Sequence, residues 1–148
     1  MRPADWQTRR DFHILSPGVA GGLGERSELD TSVYPPHVHR LHYEVEGWTG
    51  DALVESFPCY LVSPRLAEEL EAGSLTGAQL ADAEVTISPG AEEFVDSAVL
   101  GFRWLRPRGT PGRDDVAADD KARLIVSDRA LAVLRRHPLE NCLIEQWG

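Results

Sequence analysis

The stretch CYLVSPRLAEELEAG, residues 59–73, decides how the chain is read. Cys59 to Val62 is a short apolar run suited to a buried strand. Ser63 is a good helix N-cap and Pro64 fits the first helical turn. Residues 65–72 then read as helix, because Leu66 and Leu70 stand at i and i+4 while Glu68, Glu69 and Glu71 point elsewhere. Gly73 is a fitting stop. Leu75-Thr76-Gly77 leads on to a further strand at 83–88.

The same order returns later in the chain at a fixed offset of 64 in the numbering. Residues 122–126 (ARLIV) read as a strand, Ser127-Asp128 as a cap and 129–136 as a helix presenting Ala130 and Leu134. Arg135, Arg136 and His137 fall in its last turn, where the helix dipole favours positive charge. Pro138 stops it, and 141–146 closes with a strand. Val62, Ser63, Arg65, Leu70 and Leu75 recur as Val126, Ser127, Arg129, Leu134 and Leu139. Units at about 59–88 and 122–147 thus form a duplicated strand–helix–strand phrase within one domain, 1–148.

Outward from these units the chain is richer in strands. Residues 11–15, 37–46 and 52–57 read as strands, and 16–24 (SPGVAGGLG) as a loop. Residues 102–113 (FRWLRPRGTPGR) read as a surface loop. The N-terminal strands have no helical crossovers. The expected fold is therefore α+β, a mixed α/β domain with a largely antiparallel or mixed sheet and two main helices.

A length of 148 residues, with 42% apolar and 26% charged residues, suits a single globular domain with its own core. The net charge of −9 opposes binding to nucleic acid and favours a basic partner. No stretch is long and apolar enough to span a bilayer, and no apolar segment follows Arg2, Arg9 and Arg10 as in a secretory leader. The expected address is the cytoplasm, with Cys59 and Cys142 reduced.

Few residues suggest chemistry. Gly18, Gly21, Gly22 and Gly24 lack the lysine of a phosphate loop, and Glu25 carries the wrong charge. Ser63 and Ser127 sit where caps sit, which argues against a nucleophile. Neither thiol has a local base. Asp114, Asp115, Asp119 and Asp120 lack the alternating ligands of a calcium loop. Trp6, Trp48, Trp104 and Trp147 are scattered, and Trp104 lies among arginines, a pairing favoured at interfaces. His37, His39 and His42 form HxHxxH, a metal-like spacing. With Glu44 it resembles the first motif of cupins, although Thr31 stands where that motif has glycine and the second motif's Pro-x-Gly is missing. Strand geometry points His37 and His39 to one face and His42 to the other.

The phrases from Tyr60 to Leu66 and from Leu124 to Leu131, with the Leu75-Thr76-Gly77 turn, resemble a module of bacterial immunity proteins of polymorphic toxin systems. The related double-CxxCG proteins share it, but their CxxC pairs are absent here, so no zinc is implied. The resemblance implies a non-catalytic protein without a cofactor, which binds and neutralises a cognate toxin. With the acidic charge, the expected contacts to a basic toxin are Glu68, Glu69, Glu71, Trp104, Asp114 and Asp115. The alternative is a metal protein or enzyme using His37 and His39, with His42.

Overall fold

The structure is a computed structural model that describes residues 11–148. Trp6 and the arginine-bearing segment 1–10 lie outside the described residues. The fold is α+β, with two α-helices and largely antiparallel strands among the described residues.

Both helices form where local chemistry places them. In α1 (Pro64–Ala72) the Ser63 hydroxyl accepts the Leu66 N–H at 3.3 Å, and Leu66, Ala67 and Leu70 are buried. In α2 (Asp128–Leu134) Ser127 accepts the Ala130 N–H at 3.1 Å, and Ala130, Leu131, Val133 and Leu134 are buried. The second helix ends at Leu134 rather than 136. Beyond it the Arg136 and His137 amides turn back to the Val133 and Leu134 carbonyls, the tightened last turn of a helix end.

Two four-stranded sheets carry these helices. In the first, β6 (Leu53–Ser56), β7 (Cys59–Val62), β10 (Arg103–Pro107) and β8 (Ala78–Ala81) lie side by side in that order. In the second the order is β11 (Val116–Ala118), β12 (Leu124–Ser127), β1 (Phe12–Ser16) and β13 (Leu143–Gln146). The parts correspond one to one. Each sheet begins with an antiparallel hairpin, and its third strand runs antiparallel to both neighbours.

The registers of the third strands correspond too, while the edge strands β6 and β11 correspond at an offset of 63. Trp104 pairs Leu61 on one side and Ala81 on the other, while Ile14 pairs Ile125 and Glu145. Leu105 pairs Tyr60 and Leu80, while Leu15 pairs Leu124 and Ile144. The offset of 64 carries Leu61, Ala81, Tyr60 and Leu80 onto their counterparts, and an offset of 90 carries Ile14 and Leu15 onto Trp104 and Leu105. Phe12 and Phe102, both buried, and Pro17 and Pro107 also correspond at 90. The third strand of each sheet comes from the opposite half of the chain: β1 opens the first half and completes the second sheet, and β10 opens the second half and completes the first.

The closing strand of the first unit is β8, so the corresponding parts end near residue 82 and not at 88. The strand expected at 83–88 exists as β9 (Glu84–Ile87) but joins a third sheet, in the order β2 (Gly21–Leu23), β5 (His42–Val45), β9, with β5 and β9 parallel. This sheet covers the other face of the first. Tyr60 and Val62 of β7 accordingly pack with the helices, while Cys59 and Leu61 pack beneath the third sheet. A strand buried on both faces shows no alternation of polarity.

Three expectations are corrected. Residues 102–113 are not a surface loop. Their first part is the interior strand β10, with Leu105 in the helix-side core and Trp104 in the other. Residues 18–24 contain β2, where a Cβ on Gly21 would run into the Glu44 carbonyl, so glycine permits the pairing. The strand at 37–46 is two strands. β4 (His37–Arg40) forms a ribbon with β3 (Glu28–Asp30), and β5 belongs to the third sheet. The break shows in burial, since Val38 is inward before it and Leu41, Tyr43 and Val45 after it.

Candidate functional site

The break at Leu41 separates the three histidines. His37 and His39 are exposed neighbours on β4, with ring centroids 4.5 Å apart. His42 is buried on β5 and both ring nitrogens are engaged, Nδ1 by the Arg26 N–H at 3.3 Å and Nε2 by the Thr86 hydroxyl at 2.8 Å. The HxHxxH spacing therefore does not bring three ligands together. Among the described residues no group of three or more His, Cys, Asp or Glu could hold a metal ion.

The acidic residues expected at a contact surface have diverse roles. Glu68 and Glu71 are exposed on α1. Glu69 is half-buried, with Oε1 3.3 Å from Arg136 Nη1 and Oε2 3.0 Å from His137 Nε2. Asp114 accepts the Thr110 N–H at 2.7 Å, closing a turn. Asp115 accepts from the Ser127 hydroxyl at 2.7 Å, the Arg129 guanidinium at 2.7 Å and the Thr76 N–H at 2.9 Å. Burial alone would raise the Asp115 carboxyl. The donors from Arg129, Ser127 and Thr76 outweigh burial and hold it at about 2. Trp104 is corrected outright: at 6% exposure it is a core residue, with the Arg106 guanidinium 4.4 Å from its ring centroid, and it offers no surface for a contact.

The thiols are unsuited to nucleophilic work. Both are unbridged. Burial pushes Cys59 up to about 12 and Cys142 up to about 11, so neither is a thiolate near neutrality.

A hollow of about 420 Å³ lies where α1 begins and α2 ends. Arg65 and Glu69 come from α1, Arg136 and His137 from the turn after α2. Trp48 comes from the loop after β5, and Phe102 from the end of the 3₁₀ turn Ser97–Gly101. Trp48 and Phe102 meet edge to face at 5.4 Å, and the Trp48 indole N–H donates to the Asp51 carbonyl at 2.7 Å. His137 is the unusual member. Its side chain is 7% exposed and its Nε2 lies 3.0 Å from the Glu69 carboxylate. Against the opposing effect of burial, His137 and Arg136 hold that carboxyl below its ordinary value. The sequence places Arg136 and His137 in the last turn of a helix, but nothing local to them reveals the approach of Glu69 from the other helix.

A second surface feature lies elsewhere. Tyr34 and Phe57 lie with ring centroids 6.0 Å apart and planes tilted by 32°, and remain 77% and 43% exposed. The sequence reading missed both; each stands before proline, in Tyr34-Pro35-Pro36 and Phe57-Pro58, which restricts the backbone of the aromatic residue.

No protein-family model and no curated protein sequence matches the chain.

Proposed function

We propose that the chain is a non-catalytic binding protein of the immunity type, which holds a basic toxin protein in the cytoplasm. The observation that carries this reading is the neighbouring pair Tyr34 and Phe57, two large rings together at the surface. Exposed aromatic rings supply contact area at low conformational cost and are favoured as interface anchors. The net charge of −9 supplies long-range attraction for a basic partner and raises the rate of encounter. Glu68 and Glu71 are exposed on α1 and add to the acidic surface. Two unbridged thiols are in keeping with a reducing compartment, and no helix among the described residues is long and apolar enough to cross a membrane.

The test is co-expression with the product of the neighbouring gene. Rescue of growth and co-purification are expected for the unaltered chain, and loss of both for a Tyr34→Ser, Phe57→Ser double variant that still folds. A neighbour that is not toxic, or rescue that survives the double variant unchanged, would count against the reading.

A further inference from the structure

We infer that the hollow between α1 and α2 is a binding site for a small planar carboxylate, an aromatic acid in chemical class. The inference starts from a difference between two corresponding places. In the second half Arg129 is satisfied, its guanidinium donating to Asp115 at 2.7 Å and to the Ser74 carbonyl at 3.1 Å. The counterpart of Arg129 at the offset of 64 is Arg65, but strand pairing puts Ala52, which has no carboxylate, in the place of Asp115: the Ser63 N–H donates to the Ala52 carbonyl as the Ser127 N–H does to that of Asp115. The preceding Asp51 spends both carboxylate oxygens on the Glu140 and Asn141 amides, at 2.9 and 2.8 Å. Arg65 makes no ion pair among the described residues and lines the hollow instead. One half fills this place with its own carboxylate and the other leaves it open.

One further group fits an incoming carboxylate. Arg136 supplies a second guanidinium, partly balanced by Glu69. His137 lines the hollow beside them, its Nε2 3.0 Å from the Glu69 carboxylate. A guanidinium fork matches a carboxylate with two parallel hydrogen bonds. The remaining wall is apolar: Trp48 and Phe102 stand edge to face, and Trp48 is fixed by its bond to Asp51. Neither Pro111 nor Gly112, which stand ahead of β11 as Trp48 stands ahead of β6, is aromatic, so the indole is particular to this half. Phosphate would use the arginines but not this wall, and a dianion would be repelled more strongly by Glu69 than a monoanion. A volume of about 420 Å³ suits a small molecule, since such sites span about 300–1,000 Å³.

The test is titration of the full chain with benzoate, benzamide and inorganic phosphate, followed by ¹H–¹⁵N chemical shifts. Saturable benzoate binding is expected, with shifts at Trp48, Arg65 and His137. Arg65→Ala should weaken it about tenfold or more, and Ala98→Trp, on the rim, should block it. Both substitutions fall on exposed positions and leave the core intact. Absence of saturable benzoate binding, equal binding of benzamide, binding of phosphate only, or benzoate affinity unmoved by Arg65→Ala would each overturn the inference. The site is independent of the partner-binding surface, so a Tyr34→Ser, Phe57→Ser variant should bind benzoate as before.

Discussion

Asp51 and Asp115 each lie just before the edge strand of one half, and each fastens the turn that follows the other half's helix. Asp51 accepts the Glu140 and Asn141 amides after α2, and Asp115 accepts the Thr76 amide after α1. Thr76 and Glu140 are themselves counterparts at the offset of 64. The halves are thus linked twice by exchanged strands and twice by exchanged carboxylates. Asp51, 3% exposed, has no water to replace its protein donors. Asp51→Ala should lower the free energy of unfolding by about 2–4 kcal/mol, because it removes two charge-assisted bonds and strands two amides. Chemical denaturation measures this, and a loss below about 1 kcal/mol would contradict the role.

Asp115 also predicts how stability varies with pH. Its carboxyl is depressed from an ordinary 3.8 to about 2. A depressed folded-state pKa means that the stabilisation is present above the unfolded value and is lost as pH falls through the folded one. The window is therefore about pH 4 down to about pH 2. The side chain is only 14% exposed, so the contribution is on the order of 2 kcal/mol. Asp115→Asn should flatten the acid limb of a stability–pH curve by about that amount while leaving its shape above pH 5 unchanged.

The twin caps should not be equal. Ser63 accepts one helix amide, from Leu66. Ser127 accepts the Ala130 amide and also donates its own proton to Asp115 Oδ1 at 2.7 Å. Ser63→Ala should cost about 1 kcal/mol and Ser127→Ala about 2 kcal/mol, since the second also strips a donor from a carboxylate. Equal losses would mean that the Ser127–Asp115 bond contributes nothing.

The cysteines give a prediction about reactivity. With Cys59 raised to about 12 and Cys142 to about 11, a thiol reagent at pH 8 should modify the native chain far more slowly than a free thiol. In denaturant both should react fully. Rapid native labelling at Cys59 would mean that the layer beneath the third sheet opens readily.

Much of this organisation was legible because it is local. The caps Ser63 and Ser127 and the apolar i and i+4 pairs depend on close neighbours in the chain, and each appears in the structure. What was missed depends on distance along the chain. β10 offered only Trp104 and Leu105 between arginines and read as a loop, because its apolar faces are defined by sheets formed from other segments. The offset of 90 between β1 and β10 is visible as Phe12/Phe102, Leu15/Leu105 and Pro17/Pro107, but only pairing gives it meaning. Of the candidate contacts, Glu68 and Glu71 are exposed as a helix face predicts, whereas Asp115 and Trp104 went to structural duties that the sequence could not reveal.

The exchange of strands makes the last prediction. Cutting the chain between Pro89 and Gly90, in the turn after β9, leaves each fragment with three strands of a four-stranded sheet and the missing third strand of the other's. In the first fragment β7 and β8 have no strand between them, and in the second β12 and β13 have none. Each fragment exposes a row of unpaired amides and carbonyls along with its share of the helix-side core. Neither should fold alone. Expressed together, they should co-purify one to one and regain the circular dichroism of the intact chain, because closing both sheets restores the hydrophobic burial and the backbone pairing at once. If the fragment 1–89 gave a cooperative unfolding transition by itself, the exchanged strands would be decoration on independent halves and not what joins them.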